Sequence, residues 1–210
     1  MGEQLREDYA GNGPEGWRRR DNLEATIAAI AATAQARDPY TAGHVPRAAE
    51  LAVAIAREMG RAAAEVRAVR LAATVHDIGK IATPAEILGK PGPLSPVELR
   101  LVQDHVRTGY DILKVVHVPW DITGIVLQHH ERLDGSGYPL GIGGNTILPG
   151  AKILAVADAA DAMLSDRPYR APLGIDAVIA ELKQGKGQIY DPRVVDVCIT
   201  LIGGNARAFQ

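Results

Sequence analysis

At 210 residues the chain is long enough for one domain with a substantial core, and a formal net charge of −2 excludes a bulk basic surface for nucleic acid or anionic membrane. Apolar residues reach 47% but aromatics only 4%, so any core is aliphatic and helix-friendly. The single cysteine, Cys198, excludes an intramolecular disulfide, and no apolar run approaches the ~18 residues of a membrane span, so a cytoplasmic protein is expected.

Residues 1–20 are polar and end in Arg18, Arg19 and Arg20, which reads as a flexible tail or linker remnant with Trp17 able to dock. The folded domain is expected over 21–205, opening on a lead-in helix over 21–37, with a short tail at 206–210. Asp21 is the N-cap of that lead-in helix, whose Leu23, Ile27 and Ile30 share one side. Thr41 caps the next, in which Val45, Ala48, Leu51, Ala52 and Ile55 form a stripe ending at Gly60. A third runs from about Arg61 to Asp77 and is stopped by Gly79. Thr83 to Pro93, with three prolines and two glycines, is a loop holding at most a short helical turn. Ser95-Pro96-Val97-Glu98 is a capping box with proline at the first helical position, opening a helix that carries Leu99, Leu101, Val102 and His105. A short helix near Thr108 to Val115 and a longer one from about Trp120 to Glu131 follow. Residues 132–147 form a Gly-rich loop too long for a plain connector. Pro149 and Gly150 lead into an Ala-rich helix to about Leu164, and Asp191-Pro192 starts the last. Strand signals are almost absent, so the class is all-α, a helical bundle.

Five of the six histidines fall at helix ends: His44, His76, His105, His129 and His130. Asp77 follows His76, and Asp158 stands among Ile153, Leu154, Val156, Ala157, Ala159 and Ala160, where an unpaired carboxylate would cost several kcal/mol. Asp161, one turn on, raises the demand for positive charge. Any one of these histidines alone reads as a surface residue or helix cap; together the seven residues form a ligand set for two metal ions in a bundle core. Asp77 is the natural bridge, since a carboxylate offers one oxygen to each ion. A hydroxide held between the ions would be the nucleophile for a phosphate ester. Lys80 is placed to neutralise a phosphoryl oxygen, or else compensates a helix end. His117 lacks such company and is set aside, and Cys198 between Val197 and Ile199 reads as a buried, inert thiol.

His76-Asp77-Ile78-Gly79-Lys80 and His129-His130-Glu131-Arg132-Leu133-Asp134-Gly135-Ser136-Gly137-Tyr138-Pro139 resemble the HD-GYP family, a branch of the HD-domain phosphohydrolases. The likeness runs from Asp38-Pro39-Tyr40-Thr41-Ala42-Gly43-His44 through Ser165-Asp166-Arg167-Pro168-Tyr169-Arg170 to Tyr190-Asp191-Pro192. It implies an HD-domain helical bundle with a Gly-rich GYP loop, and a metal-dependent phosphodiesterase that opens cyclic di-GMP to linear pGpG or onward to GMP. The resemblance makes His44, His76, Asp77, His105, His129, His130 and Asp158 the metal ligands. It puts Lys80, Tyr138, Asp161, Arg167 and Arg170 on the substrate side. Iron is the metal it implies first, with manganese, nickel and zinc as alternatives. Tyr40 stands where three-metal members have a glutamate, which argues for two ions.

Arg167 and Arg170 would offer forked donors to phosphate oxygens or to guanine O6 and N7; ordinary surface arginines are the plain alternative. Asp134 is expected to lock the loop to its own backbone, and Tyr138 to form the pocket rim or a docking point for a signalling protein. Neither a nucleic-acid polymer nor a membrane is an expected partner; an oligomer is compatible with the sequence. Rival readings are an HD hydrolase of cGAMP or another nucleotide ester, a weakly active cyclic-dinucleotide-binding signalling module, and an HD-type iron oxygenase.

Overall fold

Helices account for nearly all regular structure in the computed structural model, which describes residues 14–35, 43–116, 120–165 and 172–204, with side chains in the first helix described over 24–34. In chain order they are α1 (Pro14–Gln35), α2 (His44–Glu58), α3 (Ala63–Val75), α4 (Ala85–Leu88), α5 (Pro96–Gln103), α6 (His105–Leu113), α7 (Ile122–Gln128), α8 (Pro149–Leu164), α9 (Ile175–Gly185) and α10 (Pro192–Gly204). Two 3-10 turns, Ile78–Ala82 and Gly144–Thr146, complete the set, and no strand occurs among the described residues. The all-α expectation is borne out.

The centre of the bundle is α8. It buries Ala151, Ile153, Leu154, Ala155, Val156, Ala157 and Ala160 and touches α2, α3, α7, α9 and α10. A helix apolar on nearly every side belongs in a core, and its alanines let neighbours come close. The stripe expected on α2 is buried as drawn, with Val45, Ala48, Leu51, Ala52 and Ile55 all inside. Burying a side chain such as Leu51, Ile55, Ile153 or Leu154 contributes about 1.5–3 kcal/mol apiece, and all four are fully enclosed. Cys198 is buried among these side chains as expected.

Several boundaries differ from expectation. Residues 14–20, expected within the tail, already belong to α1: Pro14 is well suited to a first helical position, and the arginines after it are good helix formers. On α1, Ile27 and Ala31 face the core while Ile30 is 46% exposed, so the buried stripe follows i, i+4. The capping box at Ser95 forms, Glu98 N–H donating to Ser95 Oγ (3.3 Å) and Ser95 N–H to Glu98 Oε2 (2.7 Å). The helix it opens buries nothing, however, and Leu99 and Leu101 are 47% and 43% exposed. It also stops at Gln103; Asp104 is a joint, and His105 begins α6 instead of ending α5. Helix α9 had no counterpart in the sequence reading, although Ile175, Val178, Ile179 and Leu182 keep the i, i+3, i+4, i+7 spacing.

One close approach positions the site. The 3-10 turn after α3 lies so tightly on the first turn of α6 that a Cβ on Gly79 would sit 1.9 Å from the His105 carbonyl oxygen and 2.6 Å from Gly109 N. Only glycine permits that contact, and it brings Asp77 beside His105.

Candidate metal centre

Each histidine of the cluster sits where a helix starts or ends. His44 is the first residue of α2, His76 the C-cap of α3, His105 the first residue of α6 and His129 the C-cap of α7, with His130 next. Because α3 stops at Val75 and a 3-10 turn takes over at Ile78, adjacent His76 and Asp77 are freed from regular helical geometry and both enter the cluster.

The rings form a chain. Centroids lie 6.0 Å apart for His44 and His76, 5.2 Å for His76 and His129, 5.6 Å for His129 and His105, and 5.3 Å for His105 and His130. Two groups can each hold a metal ion: His105, His129 and His130, and His44, His76 and Asp77, with donor atoms inside each group within 4.8 Å of one another. Asp158 joins the second group, its Oδ1 being 2.9 Å from His44 Nε2 and 3.4 Å from His76 Nε2. Asp77 spans both: Oδ2 is 3.5 Å from His76 Nε2 and Oδ1 is 3.5 Å from His105 Nε2.

Hydrogen bonding sorts the ring nitrogens. His76, His105 and His129 each donate Nδ1–H to the carbonyl three residues back, on Ala73 (2.7 Å), Val102 (2.6 Å) and Val126 (2.6 Å). That fixes the proton on Nδ1 and presents the Nε2 lone pair, as metal-binding imidazoles require. The three Nε2 atoms are buried and have no hydrogen-bond partner. A buried nitrogen left so costs stability unless something accepts its lone pair, so the residues fit a metal well.

The two halves differ electrically. Burial holds His129 well below the ordinary imidazole range and His130 down to about 3, leaving both neutral, the form that ligates metal. On the acidic side burial opposes the charge on His44, but hydrogen bonds to Asp158 and Asp161 outweigh it and push the ring up to about 9. Asp77 is likewise resisted by burial, yet Lys80, 2.7 Å away, together with His76 and His105 keeps it well below the usual carboxylate range. The acidic half therefore demands positive charge, which a divalent cation satisfies.

A family model described as HD domain matches residues 26–194. The chain belongs to the HD-domain family. This HD domain is 40% identical over 187 residues to the cyclic di-GMP phosphodiesterase response regulator RpfG of Xanthomonas campestris, covering 88% of this chain and 49% of the relative. It is 41% identical over 167 residues to a cyclic di-GMP phosphodiesterase of Thermotoga maritima, covering 79% and 45%. It is 38% identical over 170 residues to the 3'3'-cGAMP-specific phosphodiesterase 3 of Vibrio cholerae, covering 81% and 37%. The chain thus spans less than half the length of these relatives. Among solved structures it matches Bd1817, an HDG"Y"P protein of Bdellovibrio bacteriovorus, with a TM-score of 0.68 at 19% identity, over 97% of this chain and 68% of that one.

The HD domain places the remaining sequence-predicted residues unevenly. Lys80 is at the cluster, on Asp77. Tyr138 stacks on His130, ring centroids 4.8 Å apart, so its ring lines the cluster. Asp134 closes the loop on itself, accepting from Ser136 N–H (2.9 Å) and Ser136 Oγ (2.6 Å), as expected. Asp161 is 2% exposed, and its oxygens are taken by His44 and Arg47. Tyr40, His117, Arg167 and Arg170 lie outside the described residues.

Two residues were missed. Arg47, one turn after His44 on α2, binds Asp161; its i, i+3 spacing from His44 was the available signal. Buried Glu131, directly after the histidine pair, accepts from Leu140 N–H (2.6 Å) and Ile142 N–H (3.1 Å), pinning the GYP loop. Gly137 lets that loop close, since a Cβ there would lie 2.4 Å from Glu131 Cα.

Among the described residues no helix is long and apolar enough to cross a membrane.

Proposed function

We propose that the chain is a cytoplasmic phosphodiesterase that hydrolyses cyclic di-GMP to linear pGpG at a two-metal centre, with iron as the first-choice metal. The observation that carries this reading is Asp77, whose two oxygens face histidines of different ligand groups. His44, His76, Asp77 and Asp158 would hold one ion, and Asp77, His105, His129 and His130 the other. Bound together, two divalent ions acidify a water toward neutral pH and polarise a phosphodiester. Around them, the three Nδ1 hydrogen bonds keep His76, His105 and His129 oriented with Nε2 as donor.

Lys80 lies beside Asp77 and supplies a cation for a non-bridging phosphoryl oxygen as negative charge builds there. Tyr138 is packed on His130 and not turned outward, which supports a pocket wall over a protein-docking role. Arg167 and Arg170 enter the proposal on the sequence resemblance alone, as phosphate or guanine contacts. Tyr40 in place of an acid supports two ions over three.

A second reading, hydrolysis of 3'3'-cGAMP, is favoured by the Vibrio cholerae relative. The test is anaerobic loading with Fe(II) or Mn(II), then incubation with each dinucleotide and separation of linear and mononucleotide products. Conversion of cyclic di-GMP to pGpG supports the proposal. Turnover of 3'3'-cGAMP alone transfers it to the second reading, and binding without product under either metal makes the chain a signalling module.

A further inference from the structure

His44 is oriented differently from its companions. His76, His105 and His129 lean on backbone carbonyls three residues back, whereas His44 opens α2 and sets its Nδ1 2.6 Å from Asp161 Oδ2. Its Nε2 faces Asp158, in the ligand group. Asp161 is therefore a buried carboxylate, set between His44 and an aliphatic helix, where its charge must be matched by hydrogen bonds and cations that reach it. Arg47 provides it. Its Nε donates to Asp161 Oδ1 at 2.8 Å, one terminal nitrogen donates to Oδ2 at 3.3 Å, and the same nitrogen donates to Ser165 Oγ at 2.5 Å. The single Ser165 hydroxyl proton is shared between the Asp161 carbonyl oxygen at 2.7 Å and Asp161 Oδ2 at 3.0 Å. The Arg47 side chain is 41% exposed, so it caps the carboxylate from the surface side.

The spacing makes this a clamp between two helices. His44 and Arg47 are three apart on α2, and Asp161 lies on α8 with Ser165 four residues later at its C-cap. Lysine could not replace the arginine fully, because a point-charge ammonium cannot span both carboxylate oxygens and the hydroxyl in one plane.

We infer that Arg47 is a positioning residue for metal binding: through Asp161 it keeps a proton on His44 Nδ1 and aims Nε2 at the ligand group, so that Nε2 is the nitrogen a metal ion would take in exchange for its proton. This rests on the metal centre proposed above, but not on the identity of the substrate.

The test uses the full chain stripped of metal, with Mn(II) alone as the probe. Dissociation constants come from titration calorimetry, bound ions from elemental analysis, and the metal-free unfolding midpoint is measured in parallel. Arg47→Gln should bind Mn(II) about 10-fold more weakly, the low end of the ~10–100-fold that loss of an outer-shell partner such as Asp161 itself would give, and Arg47→Lys should recover part of the loss. At saturating metal, KM for whichever cyclic dinucleotide the wild-type chain turns over should stay at the wild-type value. Unchanged Mn(II) affinity with a raised KM would show that Arg47 touches substrate and would overturn the inference. Unchanged affinity and unchanged KM would return Arg47 to the surface. Should Arg47→Gln fail to fold, Arg47→Lys decides alone: wild-type affinity in that variant overturns the inference. A wild-type chain that takes up no Mn(II) overturns the metal reading, and this inference with it.

Discussion

Replacing Gly79 by alanine probes how the fold builds the site. The new Cβ would start 1.9 Å from the His105 carbonyl oxygen and 2.6 Å from Gly109 N, both backbone atoms with no rotamer to yield. Ordinary contact begins near 3.4 Å, so the 3-10 turn and α6 must separate by about 1.5 Å. Overpacking of this kind costs about 1–3 kcal/mol. At roughly 2–4 °C per kcal/mol for a domain of this size, Tm should fall by about 2–12 °C. The same shift pulls Asp77 away from His105, parting the two ligand groups. Misplacement by about 1 Å can cost a hundredfold in rate, so metal uptake and turnover should fall more steeply than stability. Calorimetric unfolding, elemental analysis and a product assay on Gly79→Ala check each part. Gly203→Ala is the control: its Cβ meets nothing within 4 Å, so it should be neutral or stabilising by up to ~1 kcal/mol. A Gly79→Ala protein with Tm within about 1 °C of wild type and full metal content would refute the argument.

Glu131→Gln replaces two charge-assisted bonds to Leu140 and Ile142 and sets an amide N–H against a backbone N–H; a loss of about 1.5–3 kcal/mol is expected. Amide exchange at Leu140 and Ile142 should quicken, and unchanged protection would remove Glu131 from the loop's support. In metal-free protein His44 titrates at about 9 against an ordinary 6.5, a raised value. Its contribution to stability is therefore complete below 6.5 and lost as pH rises through about 9. Below 6.5 the sign reverses, because His129 and His130 are buried neutral while the unfolded chain takes up protons. Unfolding midpoints in chelator should peak near 6.5, and a steady rise to pH 9 would contradict the His44 geometry. Burial pushes the Cys198 thiol up to about 12, so iodoacetamide at pH 8 should label the unfolded chain and leave the native one untouched; rapid native labelling would place Cys198 at the surface.

What the sequence determined by itself was local or chemical. The capping box at Ser95 and Glu98 forms because its partners are three residues apart. The Asp134 loop lock spans two residues. The stripe on α2 is a periodicity that any core would bury. The histidines and Asp158 were conspicuous because such groups are costly in an apolar helical chain unless a cation joins them. What tertiary structure alone decided was which distant group answers each of them. Asp161 meets His44 across 117 positions, so its role could not be inferred from its own helix. Apolar Leu99 and Leu101 remain exposed because nothing among the described residues packs on that face of α5, a fact no spacing encodes. The joining of the two ligand groups through Asp77 depends on the backbone contact at Gly79. Hydrogen-bond partners across helices are set by packing, and packing is a property of the assembled bundle.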